Sequence, residues 1–287
     1  MNFSKHWPIH LGLIAFIGLA MYPILWVVAL AFSGSQDLTL ANLPADPTQG
    51  DHLAAALPFP ERWSLANFSG LMRDLPFLQW MGNSLIVSGL TTLAGIVIAC
   101  PAAYAFSRFR FPGQRAGLFL FLVSQMYPVV VMLAPLYVIV SEWLRLGDSL
   151  WGLMLVYAAT AAPFCVWMLK GYFDTIPIEI EESAIMDGVS RPRIFWEIVL
   201  PLARPAIAVT ALFSFMTAWN EFILAAIFLE NQDKYTAPVG LRFLVSDYTA
   251  DWGYFAAGSI LVSLPVAALF FALQKNLVSG LSEGAVK

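Results

Sequence analysis

Long apolar runs separated by short polar segments make up most of this chain. Six of the runs are long enough to cross a hydrocarbon core as helices, which takes about 20 apolar residues. Lipid offers no partners to backbone amide and carbonyl groups, so every such span must be helical. The predicted spans are residues 11–32, 83–106, 116–140, 149–169, 205–229 and 254–273.

Charge is almost absent from these spans. The one exception is Glu221, in the span over 205–229. Internal prolines such as Pro101 and Pro163 are expected to bend the helices rather than to end them. In the first span, Ala29-Leu30-Ala31 has the small-x-small form of a signal-peptidase site, but the apolar run before it is longer than a signal core. We therefore expect an uncleaved anchor.

The composition supports a protein embedded in a membrane. Hydrophobic residues make up 59% of the chain and charged residues 12%, which is about half the charged share of soluble domains. One transmembrane domain over residues 1–287 is expected, and the net charge of −4 gives no reason to expect nucleic acid. Cys100 and Cys165 lie within spans, so we expect buried free thiols rather than a disulfide or a zinc site. The predicted class is an all-α, polytopic membrane protein.

The distribution of Lys and Arg predicts the orientation. With the N-terminus inside, the inner segments hold ten of these residues and the outer segments hold five. The short loop with Arg108, Arg110 and Arg115 contributes most clearly to this bias. Both termini are therefore expected in the cytoplasm.

Two external segments are long. The loop over residues 33–82 is rich in proline and is expected to be irregular, with a short helix near Leu65–Arg73. The second is Glu230–Gly253. No internal repeat is visible, which argues against the inverted-repeat architecture of many secondary carriers.

The inner segment over residues 170–204 is predicted to form two short helices. Pro177 suits an early helical position, and Glu179, Glu181 and Glu182 place negative charge at the positive end of the first helix. Gly188 supplies a left-handed end to that helix.

The second helix is expected to begin at Ser190, which can cap it, and to run to Leu200. Pro201 lies where that helix must stop or bend. The first helix carries apolar residues in a segment that is expected to lie in the aqueous phase, namely Ile178, Ile185 and Met186. Exposed apolar residues on a short rigid helix indicate a docking surface. The alternative is a helix that lies flat on its own membrane domain.

The same segment resembles the cytoplasmic signature of ABC importer permeases, written EAA, three residues, Gly, nine residues, I-x-L-P. Its first part reads Glu182-Ser183-Ala184-Ile185-Met186-Asp187-Gly188, and after nine residues comes Ile198-Val199-Leu200-Pro201. Ser183 departs from the usual Ala, a change between two small residues. The signature implies a coupling helix seated on an ATPase subunit.

Further short sequence segments extend the resemblance over nearly the whole chain. Asn83-Ser84-Leu85, Ala103-Tyr104-Ala105-Phe106-Ser107-Arg108 and Trp219-Asn220-Glu221-Phe222 are similar to carbohydrate-importer permeases. Gln125-Met126-Tyr127-Pro128 and the tail Gly280–Lys287 are most similar to the MalG-type maltose/maltodextrin permeases. The resemblance implies the type I ABC importer permease architecture and a bacterial inner-membrane location.

The resemblance also implies partners. These are a second, MalF-type permease, two MalK-type ATPase subunits that hold ATP and Mg²⁺, and a periplasmic sugar-binding protein. No G-x-x-x-x-G-K-[ST] sequence occurs in this chain, so no cofactor is expected on it. The implied cargo is maltose or maltodextrin, with another oligosaccharide, for example trehalose, sucrose or another α-glucoside, as the alternative.

Candidate substrate-path or gate residues are polar or aromatic residues within the spans. A carboxylate in a span is costly, by about 2.5–3.5 kcal/mol on insertion scales, and usually faces the bundle interior or a wet cavity. Hydrogen bonding to a neighbouring helix is the structural alternative. The candidates are Gln125, Tyr127, Trp219, Asn220 and Glu221.

The resemblance implies that the last external loop contacts the binding protein. The residues concerned are Tyr248, Thr249, Ala250, Asp251 and Trp252. An ordinary loop with an interfacial tryptophan is the alternative.

Other classes fit less well. A proton-coupled carrier needs a relay of several carboxylates or histidines in its spans, whereas this chain has one carboxylate there. An enzyme is disfavoured because His6, His10 and His52 all lie outside the spans. A membrane scaffold would not need the polar pair Asn220 and Glu221.

Overall fold

The computed structural model describes residues 7–40, 48–245 and 250–284. Over these residues the chain is helical and has no β-strand; Val245 and Ala250 form an isolated antiparallel bridge. Before residue 175 the helices are α1 (Trp7–Ala31), α2 (Gln49–Ala55), α3 (Ala66–Asp74), α4 (Phe77–Arg108), α5 (Gln114–Met126), α6 (Val129–Tyr137, continued by a π-helix over Val138–Trp143) and α7 (Leu150–Phe173).

Most of the remaining helices are short. They are α8 (Ile178–Met186), α9 (Arg191–Ile194, continued by a π-helix over Phe195–Val199), α10 (Leu200–Leu202), α11 (Arg204–Asn220), α12 (Ile223–Phe228), α13 (Ala237–Phe243) and α14 (Trp252–Gly284), with a 3-10 turn over Gln232–Lys234.

Four of the described helices are long and apolar enough to cross a membrane: α1, α4, α7 and α14. Two bent pairs also pass the same criteria. One joins α5 to Val129–Trp143 with a bend of 101°, and the other joins Arg191–Leu202 to α11 with a bend of 75°. If each pair is one span, the count reaches the six that the hydrophobic pattern predicts.

Contacts divide the chain into two compact units. One contains the described residues up to Leu78 together with Val239–Leu264, and the other contains Gln79–Pro238 and the rest of α14. In the first unit, α1 exposes nearly all of its apolar side chains, whereas the short helix α3 packs Leu71 into the interior. The helix expected near Leu65–Arg73 is thus present, one residue later along the chain.

The third span differs from the continuous helix expected over 116–140. It breaks at Tyr127, which is extended with φ −75° and ψ 131°. Pro128 follows, and a residue that precedes proline is disfavoured in the helical region. The proline therefore turns the chain sharply here, where the sequence predicted only a kink.

The span expected over 205–229 is also broken. Helix α11 ends at Asn220, and Glu221 is extended with φ −69° and ψ 129°. The Glu221 carboxylate accepts hydrogen bonds from the amides of Leu224 and Ala225, at 2.8 and 3.1 Å. It thereby satisfies the first amide groups of α12, which would otherwise lack partners.

Within the second unit, side chains from α4 hold the segment that follows α12. Trp80 donates its indole N–H to the carbonyl of Gln232 at 2.9 Å. Asn83 donates to the carbonyls of Asp233 and Tyr235. The start of α4 therefore fixes this loop through its backbone.

Asp148 ties the same loop to the turn before α7. Its carboxylate accepts from Lys234 Nζ at 2.7 Å and from the amides of Glu230 and Asn231 at 3.0 and 3.2 Å. Burial opposes the ionisation of Asp148, but these hydrogen bonds outweigh it and lower the pKa of Asp148 below its ordinary value of 3.8. The negative charge therefore stabilises the folded turn.

We predict that Asp148→Asn lowers the free energy of unfolding by about 1 kcal/mol near neutral pH, because a partly exposed charge-assisted bond is lost. Since the folded pKa lies below the unfolded one, this contribution is present above about pH 5 and is lost as the pH falls through the folded pKa. Thermal unfolding of the purified protein between neutral and acidic pH measures it. Asp233→Asn is the control, and a difference from wild type that does not shrink on acidification would contradict the prediction.

Candidate coupling segment and substrate cavity

Helix α8 is short and has a well-defined end. Pro177 lies immediately before its first residue, in an extended conformation. Gly188 has φ +82°, as its left-handed role predicts. The amide of Gly188 donates to the carbonyl of Ile185 at 2.9 Å, and the amide of Val189 donates to the carbonyl of Ala184 at 3.0 Å. This is the Schellman pattern, which stops a helix abruptly.

The two faces of α8 differ in exposure. Glu181 and Ala184 are buried against the rest of the unit. Met186 is 87% exposed, Ile178 48% and Ile185 40%. Glu182, Ser183, Asp187 and Gly188 are also exposed. The alternative of a helix lying flat on its own domain therefore accounts for one face only, and the apolar face that carries Met186 is open.

The second helix of the segment differs in detail from the expectation. Ser190 occupies the N-cap position, but its side chain makes no capping hydrogen bond. The helix continues past Pro201 to Leu202, and the bend comes at Ala203. Proline at position 201 has no amide to donate into the preceding turn, and a π-helix occupies that turn.

The second half of the signature faces inward. Val199 is fully buried, and Ile198 and Leu200 pack against the same core. Pro201 is half-buried. Of the residues assigned to coupling, those in α8 and at its C-terminus form the exposed surface, except for the buried Ala184. Ile198 and Leu200 pack against the core that contains Ala184.

A charged pair that the sequence reasoning missed lies beneath α8. Arg108, at the end of α4, donates Nε–H to Glu181 Oε1 at 2.5 Å, and Tyr104 donates its hydroxyl to Glu181 Oε2 at 2.6 Å. The sequence assigned Glu181 only to the helix dipole, together with Glu179 and Glu182. The only sequence signal is the segment Ala103–Arg108, which resembles carbohydrate-importer permeases but does not indicate the carboxylate that Arg108 meets.

A cavity of about 410 Å³ lies among α4, α5, α6, α7, α11 and α12. Most of its lining is apolar, and a few polar groups interrupt it, among them Ser124, Gln125, Thr160, Ser214, Thr217 and Glu221. Thr91 also lines it, and its hydroxyl is buried with no hydrogen-bond partner in the described part of the chain. The volume and this mixture are typical of small-molecule sites.

Three of the five predicted path residues line this cavity, namely Gln125, Tyr127 and Glu221. Gln125 donates its amide to the carbonyl of Thr160 at 3.1 Å. Glu221 accepts the hydroxyl of Tyr157 on α7 at 2.5 Å. The structural alternative for Glu221, hydrogen bonding to a neighbouring helix, is therefore present together with its position in the cavity.

The other two predicted residues lie elsewhere. Trp219 is buried, and its ring stacks on Phe215 with centroids 5.5 Å apart. Asn220 is exposed and donates to the carbonyl of Met216 within its own helix. Neither lines the cavity. Sequence reasoning missed Thr160, Thr217 and Thr91, because hydroxyl residues occur throughout apolar spans and carry no distinguishing pattern.

The predicted binding-protein contact loop is only partly described. Tyr248 and Thr249 lie outside the described residues. Ala250 forms the bridge with Val245, and the amide of Asp251 bonds to the carbonyl of Leu244 at 2.8 Å. Trp252 is the first residue of α14 rather than a loop residue.

Residues 92–283 match the protein family described as "Binding-protein-dependent transport system inner membrane component". The chain belongs to this family. Its members are the membrane components of importers, so the apolar helices described above are those of an inner-membrane protein.

Curated relatives of this inner membrane component match over nearly its full length. The galactooligosaccharides transport system permease protein GanQ of Bacillus subtilis is 38% identical over 96% of this chain and 93% of that protein. The maltose/maltodextrin transport system permease protein MalG of Salmonella typhimurium is 34% identical over 97% and 94%. The diacetylchitobiose uptake system permease protein DasC of Streptomyces coelicolor is 34% identical over 99% and 98%.

A solved structure shares the fold of this inner membrane component. It belongs to a bacterial ABC transporter involved in the import of the acidic polysaccharide alginate, with a TM-score of 0.77 at 20% identity over 96% of this chain and 98% of that one. The predicted all-α permease architecture is confirmed.

We predict that Tyr157 and Glu221 are energetically coupled. Tyr157→Phe and Glu221→Gln should each destabilise the protein, and the double variant should cost about 1 kcal/mol less than the sum, as for buried hydrogen bonds between membrane helices. Unfolding in detergent provides the measurement. Tyr172→Phe, whose exposed hydroxyl donates over 3.3 Å to the carbonyl of Leu202, is the control. Additive effects of the two changes would contradict the prediction.

Proposed function

We propose that this chain is a permease subunit of an ATP-driven, binding-protein-dependent sugar importer, and that its cargo is maltose or maltodextrin. ATP hydrolysis belongs to a separate subunit, and this chain converts closure of that subunit into alternating access of the membrane pathway. The observation that carries the proposal is the exposed apolar face of α8 on a helix that is fixed from behind.

An exposed apolar face on a rigid helix favours a protein partner. Met186 is the most exposed apolar residue of α8, and the side chains of Ile178 and Ile185 are also open. Exposure of apolar side chains to water is unfavourable, and burial of this helix in a cleft on another protein would remove that cost. The match to the importer signature over Glu182–Gly188 points to the ATPase as that partner.

The remaining partners follow from the family and its relatives. We assign to the complex a second permease, two ATPase subunits that hold ATP and Mg²⁺, and a periplasmic sugar-binding protein. With both termini in the cytoplasm, α8 faces the ATPases. The segment at Ala250, Asp251 and Trp252 then lies on the periplasmic side, where it is available to the binding protein.

The cavity is a suitable substrate path. Sugar recognition needs polar groups beside an aromatic face, and Gln125, Thr160 and Glu221 lie there with the exposed ring of Tyr127. The Thr91 hydroxyl, which has no hydrogen-bond partner among the described residues, supports the presence of a polar occupant, because an unpaired buried polar group is costly.

Oligosaccharides are the class of cargo best supported by the relatives. The names of three of them specify galactooligosaccharides, maltose/maltodextrin and diacetylchitobiose. Galactooligosaccharide and diacetylchitobiose are therefore the competing cargoes, and transport has to be measured against them.

We predict that Met186→Glu uncouples the permease from its ATPase. Loss of an interface hot spot costs about 2 kcal/mol or more, so the amount of ATPase that copurifies should fall by at least about tenfold. Stimulated ATP hydrolysis should fall with it, while membrane insertion is unchanged. Leu57→Glu, which places the same charge on an exposed external residue, should retain the ATPase. Equal retention by both variants would refute the docking role of α8.

We predict that Gln125→Leu lowers sugar uptake by about tenfold, because a group that recognises sugar hydroxyls is lost from the path. Uptake of radiolabelled maltotriose by the assembled complex measures this. Gln114→Leu is the matched control, since Gln114 also donates its amide to a backbone carbonyl, that of Phe106 at 2.8 Å, but lies outside the cavity. Equal losses in the two variants would refute the path.

The same assay tests the cargo. Galactooligosaccharide and diacetylchitobiose are added as competitors, and neither should displace maltotriose at equal concentration. Displacement by one of them would reassign the cargo and leave the permease function intact.

A further inference from the structure

The end of α4 is bound to the first turn of α8 by a buried ion pair. The Arg108 side chain is 7% exposed and the Glu181 side chain 5%. In every other ion pair of the described residues, at least one side chain is 42% exposed or more. When both partners of an ion pair are shielded from water, their hydrogen bonds cannot be exchanged for bonds to solvent. Such a pair fixes the orientation of the two helices that carry it.

Arg108 makes a second bond to the chain that leads into α8. Its Nη2 donates to the carbonyl of Ile176 at 2.9 Å. Tyr104, one turn earlier in α4, bonds to the remaining oxygen of Glu181, and its ring packs on Phe195 with centroids 4.9 Å apart. We call Tyr104, Arg108 and Glu181 the α4–α8 clamp.

The clamp extends to the end of α7. Arg108 Nη1 donates to the hydroxyl of Ser107, which in turn donates to Asp174 Oδ1 at 2.7 Å. Lys170 donates to the other oxygen of Asp174. Three elements, α4, α7 and α8, therefore meet in one hydrogen-bonded network.

Chain connectivity alone would not link α4 to the coupling helix. Residues 174–177 join α8 to α7, and residues 187–190 join it to α9. Arg108 and Glu181 are 73 positions apart in sequence. Helix α4 runs from Arg108 back past Thr91 on the cavity wall, and 17 helical residues span about 25 Å.

We propose that Arg108 is a positioning residue for coupling. Resting on the proposed function of α8, the clamp makes α8 and α4 move as one body. Displacement of α8 by the ATPase is thereby delivered to the helix that lines the substrate cavity. Packing alone would hold α8 in place without fixing its direction relative to α4.

The test distinguishes an effect on the orientation of α8 relative to α4 from an effect on the stability of the protein. Replacing a buried ion pair by well-packed apolar residues often leaves stability unchanged. The triple variant Tyr104→Phe/Arg108→Met/Glu181→Leu should therefore insert and bind the ATPase. Glu197→Gln, which removes the exposed pair with Arg193, is the control for loss of an ion pair in the same segment.

Two quantities are measured on the assembled complex in lipid nanodiscs. One is the amount of maltotriose imported per ATP hydrolysed. The other is the distribution of distances between spin labels at Leu93→Cys and Glu179→Cys, on α4 and α8, both exposed positions. Native Cys100 and Cys165 are buried, so they do not compete for the label.

The triple variant should broaden the distance distribution and lower import per ATP by at least about fivefold, the lower end of typical coupling between sites. Tyr104→Phe should broaden it less, and Glu197→Gln should match wild type. A narrow distribution with unchanged import per ATP in the triple variant would overturn the inference.

Two further outcomes are also informative. If the triple variant fails to assemble, Arg108→Lys decides, because lysine keeps the charge opposite Glu181 but lacks the planar guanidinium that also reaches Ile176 and Ser107. A distribution as narrow as that of wild type then overturns the clamp. If the wild-type complex hydrolyses ATP without importing sugar, the proposed cargo fails. The label distances still decide whether the clamp holds α4 to α8.

Discussion

Hydrocarbon cannot hydrogen-bond an amide group, and this constraint decides where a membrane helix is able to break. Glu221 shows how the constraint is met in this chain. Its carboxylate accepts the amides that begin α12 and the hydroxyl of Tyr157. One side chain therefore ends α11, starts α12 and binds α7. The cavity lies beside this break, so the opening in the helical wall and the group that stabilises it come from the same residue.

Helix α8 follows a different logic, in which one charged side chain faces the interior and three apolar side chains lie among the polar residues of the exposed face. Glu181 is buried against Arg108 and Tyr104, while Met186 is exposed. This inversion is unfavourable for an isolated chain in water. It becomes reasonable when the outer face is covered by a partner and the inner face must hold a fixed direction rather than only a fixed position.

Much of the fold could be predicted because the controlling residues act locally. Apolar runs of helical length identify the spans, and Gly188 ends α8 in the conformation that its sequence position implied. The breaks at Tyr127 and Glu221 were not predicted. A proline within a span usually produces only a modest kink, and a lone glutamate does not reveal that it will accept two backbone amides.

The site was predicted less completely, for a related reason. Glu179, Glu181 and Glu182 are equivalent in sequence, and only the position of Arg108 distinguishes the buried one. Likewise Trp219 and Asn220 are neighbours of Glu221 in the chain, but helical geometry directs them away from the cavity. Which side of a helix a residue occupies depends on partners that are distant in sequence, and those partners leave no mark on the local pattern.

The first helix has a consequence of another kind. Most of α1 is apolar around its circumference and packs little against its own unit. Apart from Tyr22, which bonds to the carbonyl of Ala56, and the buried residues at its end, its side chains have few neighbours to match. Length and average hydropathy are then the properties that matter, and exchanges among Leu, Ile, Phe and Val keep the length and change the hydropathy little. Natural selection would therefore tolerate rapid drift in this helix, while the buried faces of α4 and α7 would change slowly.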